Sequence, residues 1–298
     1  MRSLVHYNTC PVCSSTAIHP LLTVKDYSVS GEAFVIWTCE HCSLRFTQDA
    51  PGEDEIARYY KSENYISHTN TSKGLINQVY LKARQFTLRI KGNTLKKYTG
   101  LKRGHLLDVG AGTGAFLKHM QQEGWQVSGV EPDADARHVS RQTFALELQP
   151  SEALKSFSPQ SFDAITLWHV LEHVHDLHGY MGILKSLLKP GGTLFIAVPN
   201  YQSLDAAIYR LAWAAYDVPR HLYHFSPKAM QVLVQRHGLK IVAEKPMWLD
   251  AFYISLLSSN YKNGKTNWIG SVVSGLRSNL NALLKKEQCS SLIYVIKA

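Results

Sequence analysis

The stretch Leu106–Leu117, LLDVGAGTGAFL, carries a pattern that chemistry can use. An apolar run ends at Asp108, and glycines follow at the alternate positions Gly110, Gly112 and Gly114 before a second apolar run. This predicts a buried strand, a turn without side-chain bulk and a helix whose N-terminus a ligand can approach closely. The spacing is not that of the dinucleotide fingerprint, and no Lys-Ser/Thr pair makes a P-loop. An acid ahead of G-x-G-x-G suits a ligand bearing an amine and hydroxyls, although a tight strand-to-helix connection would leave the same trace. Roughly twenty residues further on, a second predicted strand, Trp125–Val130, ends in Glu131-Pro132-Asp133, an acid where a ribose diol is commonly held.

Four cysteines form a second chemical set. Cys10-Pro11-Val12-Cys13 and Cys39-Glu40-His41-Cys42 are two C-x-x-C knuckles separated by a hairpin-like segment, Val24–Thr38, with Gly31 at its turn. Each knuckle can turn two thiolates toward one tetrahedral zinc, and a full set of four leaves no coordination position open, so the metal is expected to be structural. Disulfides, free thiols or His41 in place of one cysteine are the alternatives. Cys289 stands alone and is expected to pack.

Histidines make the third set. Trp168-His169-Val170-Leu171-Glu172-His173 follows a predicted strand, Ser161–Leu167, and Asp217-Val218-Pro219-Arg220-His221-Leu222-Tyr223-His224 lies in a loop before a Ser226-Pro227 helix start. A histidine near its ordinary pKa can take a proton from a hydroxyl or an acidic carbon. His221, His224 and His173 are the candidate bases, with Arg220 expected to orient an anionic substituent. The competing reading of this loop is an internal hydrogen-bond network among Asp217, Arg220 and the histidines.

The Gly-rich turn, Glu131, the Trp168–His173 segment and the turn and strand Leu188–Pro199 occur in the order of the class I S-adenosylmethionine-dependent methyltransferases. The chain resembles that family from about Leu106 to Asn200. The resemblance implies a doubly wound seven-stranded α/β sheet of order 3-2-1-4-5-7-6. It places the methionine part of S-adenosylmethionine against Gly110, Ala111, Gly112 and Gly114, with Asp108 near the ammonium group. Glu131 takes the ribose hydroxyls, and Pro132 or Asp133 borders the adenine. Ser151 and Glu152 are candidates for the adenine amine, in a segment that departs from the family's common form. Trp168 and His169 wall the cofactor, and a cation held by His169, Glu172 and His173 resembles an arrangement in some quinone-precursor methyltransferases. Ahead of the domain, the cysteine unit and the tyrosines Tyr59, Tyr60 and Tyr65 resemble the N-terminal unit of methyltransferases in glycan and natural-product clusters. There the tyrosines close over the cofactor.

These sets need elements to hold them. The 298 residues, 45% of them hydrophobic, are enough for two domains with a sizeable core. They divide into a zinc-ribbon-like unit at 1–50, a basic helical linker or lid at 51–103, and the methyltransferase-like domain at 104–298 with inserts at 201–227 and 251–288. No apolar run approaches the roughly 18 residues of a spanning helix, and no signal-like segment follows Met1, so a cytoplasmic location is expected.

The net charge of +9 is matched by the nine cations from Lys73 to Arg103, a stretch without acids. Leu75, Val79, Ala83, Phe86 and Ile90 predict an amphipathic helix there, with its cations on the outer face. A basic helix beside a zinc ribbon could dock RNA, which makes an rRNA or tRNA methyltransferase the rival to an enzyme of small-molecule acceptors such as sugars, glycan precursors or natural products. Tyr201–Ala215 is expected to form one helix. In the last insert Trp268, Ile269, Val272, Val273, Leu276, Leu280, Leu283 and Leu284 recur at helical spacing. Such a stripe usually packs on its own domain, but it could serve as a lid, a homodimer face or a membrane-surface helix.

Overall fold

The computed structural model describes residues 3–60 and 75–298, with side chains described from residue 83 in the second stretch. Tyr65 and Lys73, and the side chains of Leu75, Val79 and Lys82, lie outside the described residues.

The N-terminal part is built from short strands. These are β1 (Leu4–Val5), β2 (Ile18–Lys25), β3 (Ala33–Cys39), β4 (Arg45–Thr47) and β5 (Ala50–Pro51), followed by the single turn α1 (Glu53–Ile56). β2 and β3 pair as the expected hairpin, and Gly31 takes a positive φ of 70° at its turn. α2 (Leu75–Thr99) then leads into the alternating part of the chain: β6 (His105–Val109), α3 (Ala115–Gln122), β7 (Gln126–Val130), α4 (Ala134–Phe144), β8 (Phe162–Trp168), α5 (Leu177–Leu187) and β9 (Leu188–Pro199). α6 (Leu204–Tyr209), β10 (Tyr223–His224), α7 (Pro227–Arg236), β11 (Lys240–Pro246), α8 (Asp250–Asn263), α9 (Trp268–Leu284) and β12 (Ser291–Lys297) complete it.

Among the described residues, six strands form the main sheet in the order β11-β12-β9-β8-β6-β7. The four strands from β9 to β7 are parallel, and β12 runs antiparallel between β9 and β11. The expected third strand, which would make the seventh of the sheet, is reduced to one parallel bridge, Val130 to Gln149, at the β7 edge. Leu146 and Leu148 alternate inward beside it, but Pro150 cannot donate to a ladder and the chain turns off into a 3₁₀ segment, Ser151–Ser156. The expected turn at 188–193 is an excursion within β9: pairing with β8 begins at Leu188, shifts register, and resumes at Thr193. The sheet is covered on both faces, so its strands read as nearly continuous apolar runs, and Leu106 and Leu107 enter different core clusters on opposite sides.

Three departures from the sequence pattern have local causes. The segment after β9 is not one helix: α6 stops at Tyr209, Arg210 takes a positive φ of 51°, and two 3₁₀ turns follow. Trp213, Ala214, Ala215 and Tyr216 are all buried there, a pattern no single helix face can satisfy. In α2, Phe86 is 56% exposed, and the inward positions are Arg84, Leu88, Lys91 and Leu95, spaced four, three and four. The helix is therefore rotated from the expected face, and Arg84, Lys91 and Lys96 turn to partners on the domain rather than outward. Finally, β10 adds to the edge of β4, so the sheet of the cysteine unit, β10-β4-β3-β2, is completed by the histidine loop.

Candidate functional site

The parallel strands end together on one side of the sheet, where ligands of doubly wound folds bind. At the tip of β6 the backbone N–H groups of Gly110 and Ala111 donate to the Val130 carbonyl (2.8 and 3.1 Å), tying the glycine turn to the end of β7. Gly112 has a φ of +53°, and a Cβ placed on it would meet no atom within 4 Å, so the turn faces open space there. Gly114 caps α3 in the left-handed conformation with no side-chain cap, leaving the first N–H groups of the helix facing outward from the turn.

Glu131 spans this turn. One carboxylate oxygen accepts from the Gly112 N–H at 2.7 Å and the other from the Asp133 N–H at 3.0 Å. Burial raises its pKa against those two bonds. Asp133 caps α4 by accepting from the N–H groups of Asp135 and Ala136, the alternative role its position suggests. Arg137 donates to the carbonyls of Glu131 and Pro132 (2.5 and 2.7 Å), holding that corner. Ser151 and Glu152 open the 3₁₀ segment just beyond the Val130–Gln149 bridge, on the β7 side.

Asp108 is 2% exposed and accepts from Thr166 Oγ1 at 2.6 Å. Burial drives its pKa up to about 7, with the Thr166 bond and the Lys91 cation pulling the other way. Lys91 lies 4.4 Å above the Trp168 ring, and burial lowers its pKa against the pull of Asp250 and Asp108. Phe116 packs edge-on to Trp168, whose indole nitrogen is buried without a hydrogen-bond partner. Lys91, Thr166 and Asp250 were not singled out from the sequence. The readable signal for Lys91 was its helical register with Leu88 and Leu95.

β8 ends at Trp168, and His169 follows with a φ of +60°. Its Nε2 pairs with Asp250 at 2.9 Å and its Nδ1 faces Glu172 at 3.4 Å. Burial opposes the imidazolium charge, but the two carboxylates outweigh it and raise the pKa to about 10. His169 is thus held as a cation by carboxylates. The compact set of potential ligands is instead Glu172, His173 and His221, whose donor atoms lie within 4.8 Å of one another.

The two histidine rings of that set meet edge-to-face at 4.6 Å. Carbonyl oxygens only accept. His173 Nδ1 lies 3.0 Å from the Arg220 carbonyl and His221 Nδ1 lies 2.9 Å from the Ala215 carbonyl, so each ring keeps its proton on Nδ1 and offers Nε2 as a lone pair. Tyr60 Oη also reaches His173 Nδ1 at 3.0 Å. Glu172 is fully buried, with neither carboxylate oxygen in a hydrogen bond. Burial, and then the neighbouring His221 ring whenever it is protonated, push the His173 pKa down to about 4, leaving His173 a neutral ring at physiological pH. These groups could abstract a proton or hold a small cation.

Two expectations for the loop are corrected. Arg220 is 2% exposed and committed: it donates to Asp217 (3.0 and 2.7 Å), to Asp26 (3.1 Å) and to the Tyr59 carbonyl (2.7 Å). Buried Asp26 and half-buried Asp217 demanded a guanidinium, and four of its five N–H donors are already bonded inside the protein, so it presents no fork to an anionic substituent. The internal network is therefore the reading that describes Arg220. His224 sits in β10, 3% exposed, with Nε2 on Thr47 Oγ1 at 3.2 Å and Nδ1 unpartnered. Burial, then the His221 and Arg45 charges, hold its pKa well below the usual value, and its ring packs on Tyr216 rather than joining the ring contact between His173 and His221.

The cysteines converge. The Sγ–Sγ distances are 3.5 Å for Cys10–Cys42 and for Cys13–Cys39, all four sulfurs lie within 4.8 Å of one another, and none is in a disulfide. Zinc–thiolate bonds of about 2.3 Å put tetrahedral sulfurs about 3.8 Å apart, which this cage fits. Both knuckles fold alike. Ser14 N–H returns to the Cys10 carbonyl and Ser43 N–H to the Cys39 carbonyl, each serine at φ near 60°. The cage packs against α7 through the core cluster it shares with Ala229, Met230 and Leu233, away from the glycine turn.

Residues 79–244 match the family model described as a methyltransferase domain. A ubiquinone biosynthesis O-methyltransferase from Xanthomonas campestris pv. campestris (strain B100) is 33% identical over 135 residues, covering 42% of this chain and 56% of that protein. One of the same name from Coxiella burnetii (strain RSA 493 / Nine Mile phase I) is 30% identical over 148 residues, covering 48% and 58%. The chain thus spans a little over half the length of the curated relatives it matches. Among solved structures, phosphoethanolamine N-methyltransferase 2 of Haemonchus contortus, in complex with S-adenosyl-L-methionine, aligns with a TM-score of 0.51 at 18% identity over 85% of this chain and 62% of that one. The 1,6-didemethyltoxoflavin-N1-methyltransferase of Burkholderia thailandensis aligns at 0.50 and 15% identity over 94% and 98%. At these identities what is shared is the fold.

Proposed function

This chain belongs to the methyltransferase-domain family, and from that premise we propose that it is an S-adenosylmethionine-dependent methyltransferase of a small-molecule acceptor. One observation carries the reading. The open glycine turn bridged by Glu131 and the buried Glu172–His173–His221 group lie at the same end of the same parallel strands. A cofactor site and a proton-abstracting site therefore adjoin across Trp168 and His169.

The residues present fit the cofactor. Gly112 leaves the cradle a Cβ would narrow, Glu131 offers two carboxylate oxygens suited to a diol, and Asp108 offers a carboxylate to an ammonium group. Pro132 would border the base, with Ser151 and Glu152 on the same flank, and Lys91 over Trp168 would close the opposite wall. When bound, S-adenosylmethionine supplies an activated methyl group on a sulfonium. What the chain must add is alignment, exclusion of water and a place for the acceptor's proton.

We assign the base to His173 and His221, because both present an Nε2 lone pair near the Glu172 carboxylate, which His169 Nδ1 faces at 3.4 Å from the other side. His224 supports the loop from behind through Thr47, and His169 stands as the fixed cation of the wall. The four cysteines would hold a structural zinc, which would fix the unit whose strand β4 pairs with β10. An acceptor with an acidic hydroxyl, phenolic or enolic, best suits a neutral imidazole base, so natural-product-like acceptors carrying one are favoured over sugars and glycan precursors, whose hydroxyls are weaker acids. The name of the curated relatives points the same way, toward O-methylation of a small molecule.

The test is transfer of a labelled methyl group from S-adenosylmethionine to a panel of hydroxylated metabolites, with Glu131→Ala and His221→Ala in parallel. Glu131→Ala should abolish nucleoside binding, while His221→Ala should keep binding and lose turnover. Full turnover in His173→Ala and His221→Ala together would remove the base assignment. Absence of nucleoside binding in the unaltered protein would remove the whole reading.

A further inference from the structure

α9 is an amphipathic helix mounted inside out. Its inward positions are the small residues Ser271, Gly275, Ser278 and Ala282, all buried. Ser271 donates to the Ser255 carbonyl of α8, and Ser278 donates to buried Asp205 at 2.7 Å. A Cβ on Gly275 would come within 3.1 Å of the Phe252 backbone, so the two helices approach as closely as glycine allows. The outward arc from Trp268 to Leu284 is apolar apart from Arg277 and Asn279, with Ile269 80% and Leu284 88% exposed. Together these side chains present on the order of 900 Å², against the roughly 300–600 Å² of the largest apolar patch on an ordinary monomer. Among the described residues nothing packs on this face.

Charge identifies the occupant. Between Asp250 and Glu287 there is no acid, while Lys262 and Lys265 precede α9, Lys285 and Lys286 follow it, and Arg277 borders its apolar arc, all exposed. Two copies meeting through this face would bring lysine-bearing ends together in either a parallel or an antiparallel arrangement, with Glu287 and, beyond it, Glu244 the acids near the Lys285–Lys286 end among the described residues. An anionic lipid surface satisfies both halves of the pattern, the apolar arc entering the acyl boundary and the lysines reaching the headgroups. No described helix is long and apolar enough to cross a membrane, so the helix would lie along the surface, where its 17 residues extend about 25 Å.

We propose that α9 docks this protein on anionic membrane surfaces. The docking helix is coupled to the reaction centre through α8, which packs against α9 and begins at Asp250, the partner of His169. The proposal is independent of which acceptor is methylated.

The test is co-sedimentation of the full-length, zinc-loaded chain with sucrose-filled vesicles of phosphatidylcholine alone and of phosphatidylcholine with 30% phosphatidylglycerol. Retention on the anionic vesicles and at least ~10-fold less on the neutral ones is expected. The exposed pair Leu276→Glu/Leu280→Glu should lower retention by a similar factor with an unchanged circular dichroism spectrum. Lys285→Glu/Lys286→Glu, outside the helix, should weaken it independently of any folding defect in the first variant. Equal partition on both vesicles, or no retention on either, overturns the proposal. So does a light-scattering mass of a dimer in solution that Leu276→Glu/Leu280→Glu converts to monomer, since the face would then be a self-interface.

Discussion

The carboxyl of Asp108 should make nucleoside binding depend steeply on pH. Its pKa stands at about 7 rather than the ordinary 3.8, because burial penalises the charged form more than Thr166 and Lys91 relieve it. The ligand's ammonium group is served only by the ionised carboxylate. Binding must therefore lower the Asp108 pKa and release a proton wherever the free protein still holds one, which is below pH 7. Each pH unit below that value should weaken affinity about tenfold, or 1.36 kcal/mol. Above about 7.7–8.0 the ligand's own α-amino group deprotonates, so affinity should peak between the two values. Asp108→Asn removes the charge-assisted bond and should cost about 1.5–3 kcal/mol at pH 7.5, while flattening the acid limb. Titration calorimetry with S-adenosylhomocysteine from pH 5.5 to 8.5, in buffers of different ionisation enthalpy, reads both the affinity and the proton count. An affinity flat across the acid limb, or the same slope in Asp108→Asn, would refute the assignment of Asp108 to the ammonium group.

The remaining predictions concern stability and the metal. Cys10→Ser should lower the zinc content below one per chain and depress the melting temperature, read by elemental analysis and calorimetry, as should chelation of the unaltered protein. Arg220→Ala strands the carboxylates of Asp26 and Asp217, so it should cost about 3–5 kcal/mol in denaturant unfolding. The same pair gives an acid dependence. Burial opposes ionisation of both aspartates, but hydrogen bonds and the Arg220 charge hold their pKa values below 3.8, so their contribution is complete above that value and lost as pH falls through the depressed ones. In Arg220→Ala this acid limb of the melting curve should shrink, leaving the part that the Ser30 hydrogen bonds give to Asp26. Gly110→Ala must hold φ at +69° and drive its Cβ into Val170, so it should lose about 1–2 kcal/mol for the conformation alone, together with nucleoside affinity measured by calorimetry.

What was readable in the sequence was chemistry confined to short windows. The glycine turn, Glu131 and the two knuckles depend on spacings of a few residues, and the buried parallel strands announce themselves as apolar runs. What was not readable depends on pairs far apart in the chain. Arg220 was expected to face a substrate because its partner Asp26 lies 194 residues away. Lys91 was assigned outward because cations on helices usually are, yet it lies over Trp168 in register with Leu88 and Leu95. Periodicity gave α9 its stripe but not the sense of its mounting. The small residues at 271, 275, 278 and 282, spaced four, three and four, were the overlooked sign of a close helix contact. The third strand of the expected sheet failed for a local reason, since Pro150 ends the ladder after a single bridge.

The pairing of Tyr223 and His224 with Phe46 and Arg45 makes two distant stretches of the chain mutually obligate. Thr47 Oγ1 holds the His221 carbonyl at 2.7 Å, so the leading fifty residues act as a mould in which the loop sets. Neither segment can be transplanted alone. A graft of the loop onto a related scaffold without its mould would carry the residues but not their arrangement, and trimming the N-terminus should silence the loop while leaving the glycine turn whole.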